Sequence, residues 1–129
     1  MGAEDLWRFL LLGYLVTVAV ETPVLVLFLS KRHALGRRLF AGLWLTACTY
    51  PVVVLVLPPL LANSSRAAYL AVAETFAPAA ECALFRLAFG GKGSEGVTRR
   101  DMLVIVVANL LSFMVGEVLG AYGWFGLFR

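Results

Sequence analysis

Polar and apolar positions along this chain fall into long blocks rather than into the short periods of half-buried helices or strands. Predominantly apolar blocks cover about 6–29, 39–61, 67–89 and 102–121, and each reaches the ~20 residues a helix needs to cross a bilayer core. The second block carries no charge at all and closes on Pro58 and Pro59. The first exceeds the ~7–15-residue core of a cleavable signal, with only Arg8 as a basic residue at its start, and is expected to stay as a span. Short connections then predict an all-α integral membrane protein: a single transmembrane domain over 1–129, its four helices forming an up-down bundle of antiparallel neighbours.

Composition narrows the class. Hydrophobic residues make up 61% and charged residues 15%, with a mean hydropathy of +0.88; soluble domains average roughly 45–50% and roughly 25%. A secreted disulfide scaffold, a nucleic-acid-binding module and a soluble two-domain enzyme are excluded. Charge then sets orientation. Lys31, Arg32, Arg37 and Arg38 flank the first connection, and Arg86, Lys92, Arg99 and Arg100 the third, whereas the other side has only Arg8, Arg66 and Arg129. By the positive-inside rule this bias puts both termini outside the cytoplasm, with a plasma (inner) membrane as the expected location. Trp7, Tyr69, Tyr122 and Trp124 then gather at the outer interface, where aromatic rings settle. The partner such basic loops suit is the anionic surface of the lipid bilayer, not nucleic acid. His33, inside the first basic loop, is expected to be solvated or to face lipid headgroups.

Four of the eight acidic residues, Glu21, Glu74, Glu81 and Glu117, fall within spans. An ionisable group at mid-membrane costs on the order of 2.5–3.5 kcal/mol on insertion scales, so such groups face other helices or a polar cavity. At ~1.5 Å of rise per residue, Glu21 and Glu81 both lie ~21–23 Å below the outer end, and Asn109 and Thr46 lie ~10 Å above the inner end. An inner layer of Glu21, Glu81, Asn109 and Thr46 follows, with Thr22, Thr49 and Tyr50 beside it, while Glu74 and Glu117 form an outer layer. Glu74, Pro78, Glu81 and Phe85 share one helical stripe. Asn109 and Ser112 suit hydrogen bonds between helices, and Ser112 with Gly116 makes a small-xxx-small pair expected to permit close helix approach. A five-residue repeat, 19–23 against 72–76, aligns Glu21 with Glu74 and so competes with the depth match to Glu81. Pro23, Pro51 and Pro78 each release a backbone carbonyl four residues earlier.

Oxygen ligands dominate this buried set, so a bound metal, held by Glu21 and Glu81, is expected to be a hard cation such as Mg, Ca or Mn, or a monovalent ion. Proton exchange fits equally, because two carboxyl groups in one low-dielectric layer do not both ionise readily. No span carries a haem ligand, a Ser-His-Asp set or a Glu-x-x-His motif, so an enzyme is not expected. Cys48 and Cys82 form no Cys-x-x-Cys motif and suit packing better than redox chemistry.

Two short resemblances stand beside this reading. Residues 109–116 are similar to a helix segment of dual-topology fluoride channels, from which the strong loop-charge bias departs. The glutamate of the first span resembles that of small multidrug exporters, whose pattern three further glutamates and an outside N-terminus leave.

The expectation is a small cation- or proton-binding membrane protein, a transporter or channel-like homo-oligomer. Glu21, Glu81 and Asn109 stand at its centre, Thr46 and Tyr50 beside them, and Glu74 and Glu117 toward the outer entrance. The alternative is a non-catalytic accessory or assembly subunit whose glutamates pair with basic residues of a larger membrane protein, since only Arg86 is placed to pair with them inside the chain. A membrane enzyme acting on a lipid-like substrate comes third.

Overall fold

The computed structural model describes residues 3–29, 33–89 and 99–121, and no strand occurs among them. The helices are α1 (Ala3–Phe28), α2 (Leu35–Pro51), α3 (Leu57–Leu60), α4 (Arg66–Phe89) and α5 (Arg99–Ala121), with a π-helical turn, Val52–Val56, joining α2 to α3. Four segments are long and apolar enough to cross a membrane: Leu10–Phe28, Leu35–Leu60, Arg66–Ala88 and Arg99–Ala121. The second and fourth begin three or four residues before their apolar blocks, because Arg37, Arg38, Arg99 and Arg100 occupy first turns of α2 and α5. Lys31, Arg32, Lys92, the glycine-rich 90–96 and the aromatic tail with Tyr122 and Trp124 lie outside the described residues.

The π turn has a local cause. Pro58 and Pro59 lack the N–H groups that would bond back to Val54 and Leu55. The preceding turn slips by one residue, so Leu57 N–H bonds to the Val52 carbonyl rather than to that of Val53. The Val53 carbonyl released in this way accepts a hydrogen bond from Tyr69 Oη of α4 at 2.8 Å. Ser65 opens α4 as its N-cap, with Oγ accepting from the Ala68 N–H at 3.1 Å.

α1 packs on α2 and α5, α2 on α4, and α4 on α5, which closes a ring with α1 and α4 on opposite sides. The tightest approach is between α1 and α2: a Cβ on Gly42 would lie 2.9 Å from both Cβ and Cγ2 of Thr22. Gly13 similarly leaves room for the Tyr50 hydroxyl, which a Cβ there would strike. Gly116 does not play the close-packing role expected from its spacing with Ser112, since a Cβ there would meet nothing within 4 Å. It borders empty space instead.

The molecule is apolar outside and mixed inside. Leu87, Leu60, Leu27 and Leu103 are 63–82% exposed, while Glu21, His33, Thr46, Thr49, Glu81, Asp101 and Asn109 are buried. That inversion suits a lipid-facing surface. Between the buried polar groups sits an apolar plug of Leu25, Leu29, Ala41, Leu45, Phe85, Ile105 and Ala108.

At the end where α1 stops and α2 and α5 begin, the structure corrects the sequence reading of His33. It faces neither solvent nor headgroups: it is 1% exposed, its Nε2 lies 3.1 Å from Oδ2 of the fully buried Asp101, and its ring stands nearly perpendicular to that of Phe85, with centroids 5.1 Å apart. The physical reason is the end of α1, whose last carbonyls have no partner within the helix. Arg38 donates to the carbonyls of Val26 and His33, and Arg100 Nε donates to that of Phe28 at 3.0 Å. These bonds draw α2 and α5 over the helix end, and His33 is enclosed with them.

Candidate functional site

On the other side of the apolar plug from His33 and Asp101, the ring encloses a cavity of about 340 Å³. Its floor is built by all four long helices. Glu21 comes from α1 and Glu81 from α4, on opposite sides of the ring, and their carboxyl groups interact directly. Each is supported from a neighbouring helix. Ser112 Oγ of α5 lies 2.6 Å from Glu21 Oε2, and Thr49 Oγ1 of α2 lies 3.0 Å from Glu81 Oε2. Asn109 also reaches Glu81, while its Nδ2 donates to the Ile105 carbonyl at 2.9 Å.

Each supporting hydroxyl has a second acceptor in reach: the Asn109 carbonyl at 3.0 Å for Ser112, and the Leu45 carbonyl at 3.0 Å for Thr49. A hydroxyl carries one proton. With its carboxyl ionised, Ser112 or Thr49 must divide that proton between carboxylate and carbonyl. With the carboxyl protonated, the acid donates to the hydroxyl, which then donates to the carbonyl, and the hydroxyl no longer has to divide its proton. The floor therefore accommodates a proton on either glutamate without any side chain moving. Glu21 Oε1 is buried and has no hydrogen-bond partner, which leaves one oxygen uncommitted beside the cavity.

Thr46 lines the same floor, 2% exposed, with Oγ1 donating to the Gly42 carbonyl of its own helix at 3.1 Å. Tyr50 and Glu74 line the wall, and Glu117 lies at the rim with Arg66, whose Nη2 reaches both its carboxylate oxygens at 2.9 and 3.1 Å. This ion pair corrects the expectation that only Arg86 is placed to pair internally: Arg66 does so, and Arg86 is exposed. The reason is length, since a guanidinium on the first residue of α4 reaches across to the far end of α5. One argument for an external basic partner is thereby reduced.

All seven predicted site residues, Glu21, Thr46, Tyr50, Glu74, Glu81, Asn109 and Glu117, line this cavity. The structure brings Glu21 to Glu81, the pairing expected from depth, rather than to Glu74, the pairing suggested by the repeat. Sequence reasoning placed Ser112 between helices without assigning it to a glutamate, and it gave Asp101 no part at all, since a carboxylate following Arg99 and Arg100 reads as an ordinary helix start. Cys48 and Cys82 are free thiols, and Cys82 Sγ donates to the Met102 carbonyl at 3.7 Å. Among the described residues no group of three or more His, Cys, Asp and Glu is placed to hold a metal ion. No protein-family model, curated protein or solved structure matches the chain.

Proposed function

We propose that this is a small integral membrane protein that binds a cation or a proton between its helices, acting as a non-catalytic transporter or channel-like oligomer. In this reading the four spans form an up-down bundle in a plasma membrane, both termini face outward, and the cavity is open to that side. The observation behind it is the direct meeting of Glu21 and Glu81 from opposite helices, with Glu21 Oε1 unpartnered beside the cavity. Buried membrane carboxyl groups are costly and mark ion or proton pathways. Here the supporting hydroxyls accept both protonation states, so the pair can load and release a positive charge.

The test is thermal unfolding of the detergent-purified protein across pH and a panel of monovalent and divalent cations, in wild type, Glu21→Gln and Glu81→Gln. A ligand that binds only the folded state stabilises it by mass action. Stabilisation by a cation or by a pH step, lost in both variants, is the expected result; an identical profile in all three proteins would refute the site. Orientation is tested separately with an Asn63→Cys variant, whose thiol should react with a membrane-impermeant maleimide added to intact cells.

A further inference from the structure

We infer that the occupant of the cavity is a small organic cation, an amine whose charged head meets Glu21 and Glu81 and whose apolar body lies along the wall toward the rim. This rests on the cation-site reading above and replaces the hard inorganic ion expected from the sequence.

Three observations carry it. The floor is poor in ligands for a bare metal ion. Calcium takes about 6–8 oxygens and magnesium a near-ideal octahedron, whereas the hydroxyls of Thr46, Thr49 and Ser112 and the Asn109 amide are engaged with backbone carbonyls or with the carboxyls. The unpartnered Glu21 Oε1 suits a single ammonium N–H better than a coordination shell.

The space is also wrong for an ion. A volume of about 340 Å³ would hold about eleven waters at ~30 Å³ each, and it falls within the ~300–1,000 Å³ of small-molecule sites. Val16, Val54, Leu70 and Phe113 line its wall. Tyr50 and Tyr69 are also among its lining residues, and with Phe113 they are of the aromatic type that attracts cations.

The third observation is the glycines on α5. Gly116 and Gly120 line the cavity, and a Cβ at either would meet nothing within 4 Å. Glycine in a helix costs about 1 kcal/mol relative to alanine, and packing does not require it at either position. What the two glycines provide is width.

The experiment is thermal unfolding with butylammonium and benzylammonium, their neutral counterparts butanol and benzyl alcohol, and the chlorides of Na, Mg, Ca and Mn, in wild type, Glu21→Gln and Gly116→Leu. A Cβ at Gly116 meets nothing within 4 Å and the position borders the cavity, so this variant should fold even if the glutamine variant does not. The ammonium probes should stabilise wild type in a concentration-dependent way, by about a hundredfold in the folded-to-unfolded ratio at 100 times Kd. The alcohols should do nothing, Glu21→Gln should lose the response, and Gly116→Leu should lose it for the benzyl probe while keeping its response to pH. Stabilisation by an inorganic ion alone, or an undiminished benzyl response in Gly116→Leu, would overturn the organic-cation assignment and leave the cation site standing. No response to any cation or to pH would overturn both.

Discussion

Replacing either member of the His33 and Asp101 pair with leucine should destabilise the protein more than replacing both. The two groups are 1% and 0% exposed and 3.1 Å apart, so little water reaches either when its partner is removed. In Asp101→Leu the ring loses its Nε2 acceptor while Nδ1 already has no partner, an unmet buried polar group worth about 1–3 kcal/mol. In His33→Leu the carboxylate stays buried with a contact fewer. Breaking one side of a buried pair reaches about 3–5 kcal/mol when nothing else compensates, and Asp101 keeps a further interaction, which puts the expected cost nearer 2–3 kcal/mol. The double leucine variant removes both polar groups, and such exchanges are often close to neutral. Equilibrium unfolding in mixed detergent and SDS micelles, run as a double-mutant cycle, measures all four proteins. A coupling energy of about 2 kcal/mol or more is expected; single costs that simply add in the double variant would refute the reasoning.

Further tests follow from the packing. Gly42→Val should cost about 1–3 kcal/mol by overpacking, because Thr22 is short and branched and has no rotamer that clears the new carbons, whereas Gly116→Ala should be neutral or stabilise by up to about 1 kcal/mol. The same unfolding assay separates them, and equal effects would contradict the difference in space around the two glycines. Tyr69→Phe leaves the Val53 carbonyl without its side-chain donor and should cost about 0.5–1.5 kcal/mol; no loss would mean that the π turn is satisfied by other means. Ser65→Ala should cost about 1 kcal/mol through the α4 cap, measurable in the same titration, and Ser65→Asp should restore it.

The spans were legible because hydrocarbon thickness imposes a length and a composition on any helix that crosses it. Depth arithmetic along each span also carried Glu21 to Glu81, since helical rise is constant and both helices run in the same direction. Contacts made by long side chains at the helix ends were not legible. Arg66 reaches Glu117 and Arg38 reaches back over the end of α1, and neither reach follows from spacing along one helix. His33 differs for the same reason: its basic sequence neighbours make it read as solvated, whereas Arg38 and Arg100 turn inward to cap carbonyls. Gly116 looked like a packing contact because a small residue at i+4 from Ser112 signals close approach, and the same pattern equally serves a cavity wall. Distinguishing the two requires knowing which side of α5 faces α1 and α4.

The apolar plug below the glutamates has an electrical consequence. In the reading proposed above, with a water-filled cavity open at the Arg66 end, most of a transmembrane voltage would fall across the layer of Leu25, Leu45, Phe85 and Ile105. A charge arriving at Glu21 then crosses little of the field, and its binding should hardly depend on voltage. Passing the plug is different: each elementary charge carried through the full potential exchanges about 2.3 kcal/mol per 100 mV. In that reading those side chains would act as the dielectric of a thin capacitor, and the voltage dependence of any charge movement would arise at that layer rather than at the carboxyl groups.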